Sequence, residues 1–303
     1  MTSLSPARRA TIVTTCASLA LVAIKATAGI LTGSVSVFAS ALDSLLDSIV
    51  SLFNAFAVHG AEKPSDDDHN YGHGKLEGMA ALFEGLFILG SAGFVLWRSV
   101  DKFLHPKPIP VAGLDFAMGV MVFSMLAAFG IVTYLRHEGR KTRSLVLEAD
   151  ALHYRTDVWS NGAVLVGMVV IRFTGWQAAD AILAAGIGLY IAWAALPLLR
   201  KGLDMLMDRA LPQEVTDGIL EIARSHSNLV NGVHELRTRR SGDVNFVDFH
   251  LVLDEHIALG RAHRVADEIE ARIRALEKSK WSVNIHLDPY DYSHRDRRMT
   301  EGA

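Results

Sequence analysis

The chain contains very little cysteine, since Cys16 is the single one among 303 residues. One thiol can form neither a disulfide framework nor a thiolate metal site, so any metal must be held by oxygen and nitrogen ligands. The net charge of −3 at pH 7 shows no excess of positive charge, which argues against nucleic acid as a partner. The chain also lacks the His-Glu-x-x-His pattern typical of zinc hydrolases.

Long apolar stretches are what the chain has in abundance. Half of its residues are hydrophobic, and the mean hydropathy of +0.24 is high for a soluble protein of this size. A bilayer-spanning helix needs about 20 apolar residues. Six stretches are long enough, at residues 10–31, 35–60, 79–100, 111–135, 144–173 and 178–199. The sequence therefore predicts an all-α domain of six transmembrane helices over residues 1–208, with the first helix retained rather than cleaved.

Basic residues cluster on one side of these six predicted spans. They are Arg8, Arg9, Lys63, Lys75, Arg136, Arg140, Lys141, Arg143, Arg200, Lys201 and Arg209. Because positively charged loops stay in the cytoplasm, this distribution predicts that the N- and C-termini are both cytoplasmic.

After Asp208 and Pro212 the long apolar runs stop and the charge rises. The pattern predicts a helix over 214–225, strands over 232–239 and 244–253, a helix over 259–276 and a strand over 281–287. This αββαβ order is typical of a ferredoxin-like sheet with helices on one face. We expect a cytoplasmic α/β domain over residues 209–291 and a disordered tail over 292–303.

Two pairs of ionisable residues lie inside apolar stretches, Asp43 with Asp47 and His153 with Asp157. Inserting an Asp at the centre of a membrane helix costs about 2.5–3.5 kcal/mol of free energy. Residues with such a cost usually have a function. Both pairs have i, i+4 spacing, which places two side chains on one helix face. Helix capping or interhelical hydrogen bonding is a weaker explanation, because both pairs are near mid-span. Together they offer three carboxylates and one imidazole, a four-ligand cage that suits Zn²⁺.

Two further groups are less specific. Asp66, His69 and His73 follow the second span at a spacing that suits a metal if the loop turns tightly, and a solvated acidic loop is an equal alternative. The other group is spread through the C-terminal domain and comprises His234, His250, His263, His286 and Asp288. From the residues alone, scattered surface histidines are the favoured interpretation of that group.

Two more polar residues interrupt the apolar stretches. Glu84 lies in the third stretch, where a buried acid can face a cavity, but by itself it indicates little. Lys25 lies in the first stretch, where snorkelling of its charge towards an interface is a sufficient explanation.

The order of these motifs resembles a known family. It runs Asp-x3-Asp in the second span, Asp-x2-His-x3-His-Gly-Lys-x-Glu after it, Ala-Asp-Ala-Leu-His-x3-Asp in the fifth, and Ile-His-x-Asp-Pro at the end of the tail. The chain resembles bacterial members of the cation diffusion facilitator family, of the zinc and ferrous-iron efflux type, over residues 8 to 290. Glu84, His59 and the Asp254-Glu255-His256 turn depart from the pattern expected of that family.

The resemblance implies a homodimer in the bacterial inner membrane that exports divalent metal by alternating access in exchange for protons. Zn²⁺ is the expected cargo and structural ion, with Cd²⁺, Fe²⁺, Co²⁺ and Mn²⁺ also possible cargoes, and neither enzymatic activity nor an organic cofactor is expected. It assigns Asp43, Asp47, His153 and Asp157 to the transport site, and Asp66, His69 and His73 to a loop site. It further assigns His234, His250, His263, His286 and Asp288 to a binuclear cytoplasmic site, and Lys75 with Asp208 to a charge interlock between subunits.

Two alternative functions remain open at this point. A membrane-anchored metal sensor would use the spans only to hold the tail, which leaves the charged residues of the membrane helices unexplained. An intramembrane metallohydrolase would need an open metal position and a general base, whereas every residue of the predicted membrane site can serve as a ligand.

Overall fold

The computed structural model describes residues 4–32, 35–105, 114–176 and 178–290. The chain divides into two compact units, with the boundary between Leu206 and Met207. The predicted tail over residues 292–303 lies outside the described residues. The first unit is helical, and its elements are α1 (Pro6–Thr32), α2 (Val35–Ala61), α3 (Lys75–Leu104), α4 (Leu114–Thr142), α5 (Leu145–Thr174) and α6 (Ala178–Leu206).

Each of the six predicted stretches corresponds to one helix, but most helices are longer than the apolar run within them. α6, for example, ends at Leu206 rather than at residue 199. The added turns contain Arg200 and Lys201, and they are helical without being apolar. Hydropathy identifies the apolar part of a helix, which can lie in lipid. The helix itself can continue beyond that part, because polar residues also form helical hydrogen bonds.

Helices α3 and α6 approach each other closely because glycines line their contact. A Cβ atom placed on Gly202 would lie 3.0 Å from the carbonyl oxygen of Gly78 and 3.1 Å from the amide nitrogen of Leu82. Small residues allow such backbone approach between membrane helices. Around this contact, Ile88 of α3 and Leu198 of α6 belong to one buried apolar cluster that also includes residues of α5.

The remaining helices of the first unit pack as α1 against α2 and α4 against α5. α5 also contacts α2, α3 and α6. A second buried cluster contains Val58 of α2, Leu135 of α4, and Val146 and Tyr154 of α5. Because α5 touches every other helix of the unit, its side chains can meet residues from several helices.

Four helices of the described chain are long and apolar enough to cross a membrane by length and composition. They cover Pro6–Leu31, Ala41–Ala61, Lys75–Leu104 and Ala178–Leu206. α4 and α5 are not among them. The first half of α5 carries Glu148, Asp150, Arg155 and Asp157, and these residues lower its apolar character. Six membrane crossings therefore remain a prediction, although all six helices are present.

The second unit confirms the predicted αββαβ order. Its elements are α7 (Gln213–Ser225), β1 (Val230–Ser241), β2 (Val244–Asp254), α8 (Leu259–Arg274) and β3 (Lys280–Tyr290). β2 is the central strand, antiparallel to β1 and parallel to β3. The parallel pair is joined through α8, as expected of a βαβ connection.

The two faces of this sheet differ in chemistry. Phe249 and Leu251 of β2 are buried with Ile219 of α7 and Ile269 of α8 in one apolar core. Since successive side chains of a strand point to opposite faces, His250 lies on the face that the helices do not cover.

Candidate metal sites

Three of the four predicted membrane ligands converge between α2 and α5. Ligand atoms of Asp47, His153 and Asp157 all lie within 4.8 Å of one another. Nε2 of His153 is 3.3 Å from Oδ1 of Asp47 and 3.9 Å from Oδ2 of Asp157. The i, i+4 spacing on α5 brings His153 and Asp157 together, and the packing of α2 on α5 adds Asp47. We call these three residues the transport triad, after the transport site that the family resemblance predicts for them.

The imidazole of the transport triad is held in place by aromatic neighbours. His153 is 5% exposed, and its ring centroid lies 5.9 Å from that of Phe87 and 5.5 Å from that of Tyr154. The hydroxyl of Tyr154 is hydrogen-bonded to that of Ser51 at 2.9 Å. These contacts direct Nε2 towards the two carboxylates, which is the orientation that a shared metal ion requires.

Asp43, the fourth predicted ligand, lies outside this group and is exposed. It is one helical turn from Asp47, and the two carboxylates interact electrostatically. A tetrahedral zinc site takes four ligands, and Asp43 is the nearest predicted ligand along α2 that could complete the triad. Its membership therefore remains a prediction.

Lys25 is a residue whose place the sequence analysis misjudged. Its side chain is buried among the helices: the residue is 8% exposed, and Nζ donates a 2.7 Å hydrogen bond to Oγ of Ser44. The ammonium group interacts electrostatically with Asp43, Asp47 and Asp157. A lysine near the middle of an apolar run was itself a signal, since intramembrane charges are usually paired with partners inside the bundle.

The loop residues also come together. Oδ1 of Asp66 is 3.2 Å from Nδ1 of His69, and Oδ2 is 3.4 Å from Nε2 of His73. The backbone N–H of His69 donates a 2.7 Å hydrogen bond to Asp66, and this bond is the main reason that the pKa of Asp66 is below its ordinary value. Gly72, with φ of 77°, permits the tight turn before His73. The turn that the sequence left open thus brings three ligands within 4.8 Å.

In the second unit, three histidines form a row across the exposed face of the sheet. His234 of β1 pairs with His250 of β2, which is in register with His286 of β3. Adjacent ring centroids are 5.0 Å and 4.6 Å apart. The row results from strand register, which brings together residues far apart in the sequence.

Asp288 connects the row. Its Oδ2 is 3.0 Å from Nε2 of His234 and 3.0 Å from Nδ1 of His250, and its Oδ1 is 3.2 Å from Nε2 of His286. Burial raises the pKa of Asp288, but the His250 hydrogen bond and the nearby histidine charges outweigh that effect and leave the pKa below its ordinary value. A carboxylate that stays ionised beside three imidazoles is suited to bind a divalent metal.

Two other residues change the predicted list of ligands in the cytoplasmic domain. His263 lies on α8, is 72% exposed at its side chain, and pairs with Asp267 at 3.6 Å, so it does not join the histidine row of its own chain. Glu235, which the sequence analysis missed, lies beside the row, with Oε2 3.6 Å from Nε2 of His250. A bulge in β1 between His234 and Arg237 places Glu235 beside His250. Residue spacing in the sequence does not predict such a bulge.

The two residues of the predicted charge interlock lie in different units, and each has a partner within its own unit. Nζ of Lys75 donates a 3.3 Å hydrogen bond to the carbonyl oxygen of Leu206. Oδ1 of Asp208 lies 3.4 Å from Nη1 of Arg239.

Comparisons with known proteins cover nearly the whole chain. Residues 11–207 match the cation efflux transmembrane domain, and residues 211–290 match the cytoplasmic domain of cation efflux proteins. Over 294 residues the chain is 40% identical to a cation-efflux pump FieF from Salmonella choleraesuis (strain SC-B67), covering 97% of this chain and 96% of the relative. The same figures hold for a FieF from Salmonella newport (strain SL254).

The chain belongs to the cation efflux family. It is thus a membrane transporter that exports divalent metal cations, and this membership favours transport over the sensor and the metallohydrolase. The cytoplasmic domain of this cation efflux protein is a dimerisation domain, which indicates a homodimer.

Two solved structures resemble parts of the chain. CzrB in its zinc form is 32% identical, covering 27% of this chain and 92% of that one, with a TM-score of 0.25. The MamB CTD magnetosome protein from Desulfamplus magnetovallimortis BW-1 is 16% identical, covering 26% of this chain and 96% of that one, with a TM-score of 0.25.

Proposed function

We propose that this protein is a proton-coupled exporter of Zn²⁺ and related divalent metals in the bacterial inner membrane. The observation that carries the proposal is the transport triad, an imidazole and two carboxylates that converge between α2 and α5. Intramembrane ionisable groups of this kind usually mark an ion pathway. The termini are cytoplasmic in this proposal, as the distribution of basic residues predicts.

The donor set favours Zn²⁺ among the candidate metals. Nitrogen and oxygen ligands in tetrahedral number suit Zn²⁺, and the triad with Asp43 would supply one nitrogen and three carboxylates. The same set accepts Cd²⁺, Fe²⁺, Co²⁺ and Mn²⁺, since selectivity depends on geometry and metal supply. Alternating access would expose the site first to the cytoplasm and then to the outside.

Proton coupling follows from the imidazole in the triad. Metal binds only the neutral ring, so a metal ion and a proton compete for Nε2 of His153. The carboxylates of Asp47 and Asp157, at 3.3 Å and 3.9 Å, can pair with a bound metal or with a protonated ring. An inward proton gradient would then drive metal outward.

A vesicle experiment tests this function directly. Purified protein in sealed vesicles should transport Zn²⁺ and Cd²⁺ faster when the opposite compartment is acidic. Fe²⁺, Co²⁺ and Mn²⁺ measured side by side give the order of preference. If the metal flux does not change with a pH gradient of either sign, antiport is wrong and the protein is a passive facilitator.

The cytoplasmic group would hold metal that stabilises the dimer. His234, His250, His286 and Asp288 supply ligands from one chain, whereas His263 faces solvent on α8 and would reach such a site only from a second copy of the chain. The loop group of Asp66, His69 and His73 would be a further metal site, and Lys75 with Asp208 would join the subunits at the membrane surface.

Replacing both His250 and Asp288 with alanine is expected to weaken dimerisation and to lower transport two- to ten-fold without abolishing it. The reason is that Asp288 contacts every histidine of the row, while the transport triad is untouched. Light scattering of the full-length protein with and without Zn²⁺ measures the dimer, and vesicle uptake measures transport.

The matched control is His256→Ala, since His256 is 87% exposed at its side chain and lies outside the row. Unchanged Zn²⁺ binding in the double variant would contradict the assignment.

A further inference from the structure

A second group of buried polar side chains lies in the helical unit. Asn54 of α2, Glu84 of α3 and Asp150 of α5 are 0%, 3% and 0% exposed. Nδ2 of Asn54 donates a 3.0 Å hydrogen bond to Oε2 of Glu84. Glu84 also interacts electrostatically with Asp150. We call these three residues the inner oxygen group.

Each member of the inner oxygen group has an oxygen without a partner. Oδ1 of Asn54, Oε1 of Glu84 and Oδ1 of Asp150 are buried and have no hydrogen-bond partner among the described residues. The second oxygen of Asp150 accepts a 3.2 Å bond from Oγ1 of Thr14. Buried polar atoms nearly always have partners, and each unmet acceptor costs free energy. Three such oxygens from three helices indicate that the group serves a ligand.

The charge of the group specifies that ligand further. Glu84 and Asp150 are acids, and no lysine or arginine of the described chain forms an ion pair with either. Their electrostatic partner of opposite charge is the imidazole of His153, which must be neutral when it binds metal. Two buried carboxylates are then strongly unfavourable, and a divalent cation would neutralise both. Oxygen-only ligation suits harder ions such as Mn²⁺, Mg²⁺ or Ca²⁺. A half-turn of the Asn54 amide would exchange its nitrogen for its oxygen and add a third ligand.

The position of the group relates it to the transport triad. Asp150 is three residues before His153 on α5, and Asn54 is seven residues after Asp47 on α2. At 1.5 Å per residue these offsets are about 4.5 Å and about 10 Å along the helices. Both offsets point towards the end of the bundle where α2 finishes and α5 begins. In the proposed topology this end is cytoplasmic.

We propose that Asn54, Glu84 and Asp150 form an oxygen-only site for a divalent cation, which metal occupies on its way from the cytoplasm to His153. The role of the site in metal entry rests on the proposed export function. Its existence does not, because the unpartnered oxygens and the charge are independent of the direction of transport.

Mn²⁺ binding to the full-length detergent-solubilised protein tests the site. Each of the other three metal groups contains histidine, so Mn²⁺ bound there shows ¹⁴N coupling in electron spin-echo spectra. The proposal expects a second population of bound Mn²⁺ without nitrogen coupling. Glu84→Gln and Asp150→Asn, which preserve side-chain shape, should each weaken that population at least about ten-fold.

The control is Glu148→Gln, because Glu148 is an exposed acid on α5 with 55% of its side chain accessible. That variant should keep both populations. Retained nitrogen-coupled Mn²⁺ in Glu84→Gln and Asp150→Asn shows that the protein remains folded. The site is wrong if all bound Mn²⁺ shows nitrogen coupling, or if the nitrogen-free population survives both variants. Either result would reject the oxygen-only site without affecting the assignment of the transport triad. An absence of metal flux in wild-type vesicles would instead reject the export function without affecting the oxygen-only site.

Discussion

Replacing Asp157 with asparagine is expected to lower metal transport about 100-fold or more. Asparagine has nearly the same shape as aspartate, so the packing of α5 should survive while one anionic ligand of the transport triad disappears. Oδ2 of Asp157 lies 3.9 Å from Nε2 of His153. Without that carboxylate, one negative charge fewer remains to attract and hold the cation. Initial rates of Zn²⁺ and Cd²⁺ uptake into sealed vesicles measure the loss.

The matched control for this variant is Asp101→Asn. Asp101 is also a helical aspartate, but its side chain is 52% exposed and its partner is His105. We expect wild-type uptake from the control and an intact dimer from both variants. Wild-type uptake by a folded, dimeric Asp157→Asn protein would remove Asp157 from the transport site.

Replacing His153 with glutamine is expected to remove most of the dependence of transport on the pH gradient and to slow the flux at least about ten-fold. The imidazole of His153 is the titratable nitrogen of the triad, and metal and proton cannot occupy it together. Glutamine keeps a polar side chain of similar reach but does not take up a proton. Simultaneous recording of metal flux and internal pH gives the number of protons exchanged per metal ion.

His137→Gln is the control for this measurement, because His137 is a helical histidine with 68% of its side chain exposed. The control should keep the proton count of the wild type. If His153→Gln also keeps that count, another group exchanges the proton and the assignment of coupling to His153 is wrong.

The sequence predicted the helices and the ferredoxin-like order well because both depend on local pattern. Apolar runs of sufficient length indicate membrane helices, and alternation around Gly242 indicates a hairpin. The pairing of His153 with Asp157 is equally local, since residues four apart share a helix face. The ends of helices such as α6 were less predictable, because helical turns outside lipid need no apolar residues.

Distances between elements required the tertiary structure. Nothing in the spacing of the sequence shows that Lys25 turns inward to Ser44, or that a bulge in β1 places Glu235 beside His250. Asp43 and His263 share the motifs of their groups but lie outside the clustered ligands. A motif specifies which residue types are present, whereas helix packing and strand register specify which of their atoms meet.

By itself, then, the sequence determined the class of the protein, its two-part organisation and the chemistry of its ligands. These properties follow from composition, from periods of 3.6 and 2 residues, and from motif order. Only the tertiary structure decided which ligands converge and which buried oxygens remain unpartnered. Convergence depends on how α2, α3 and α5 pack, and the contacts that fix this packing join residues as far apart as Ser51 and Tyr154.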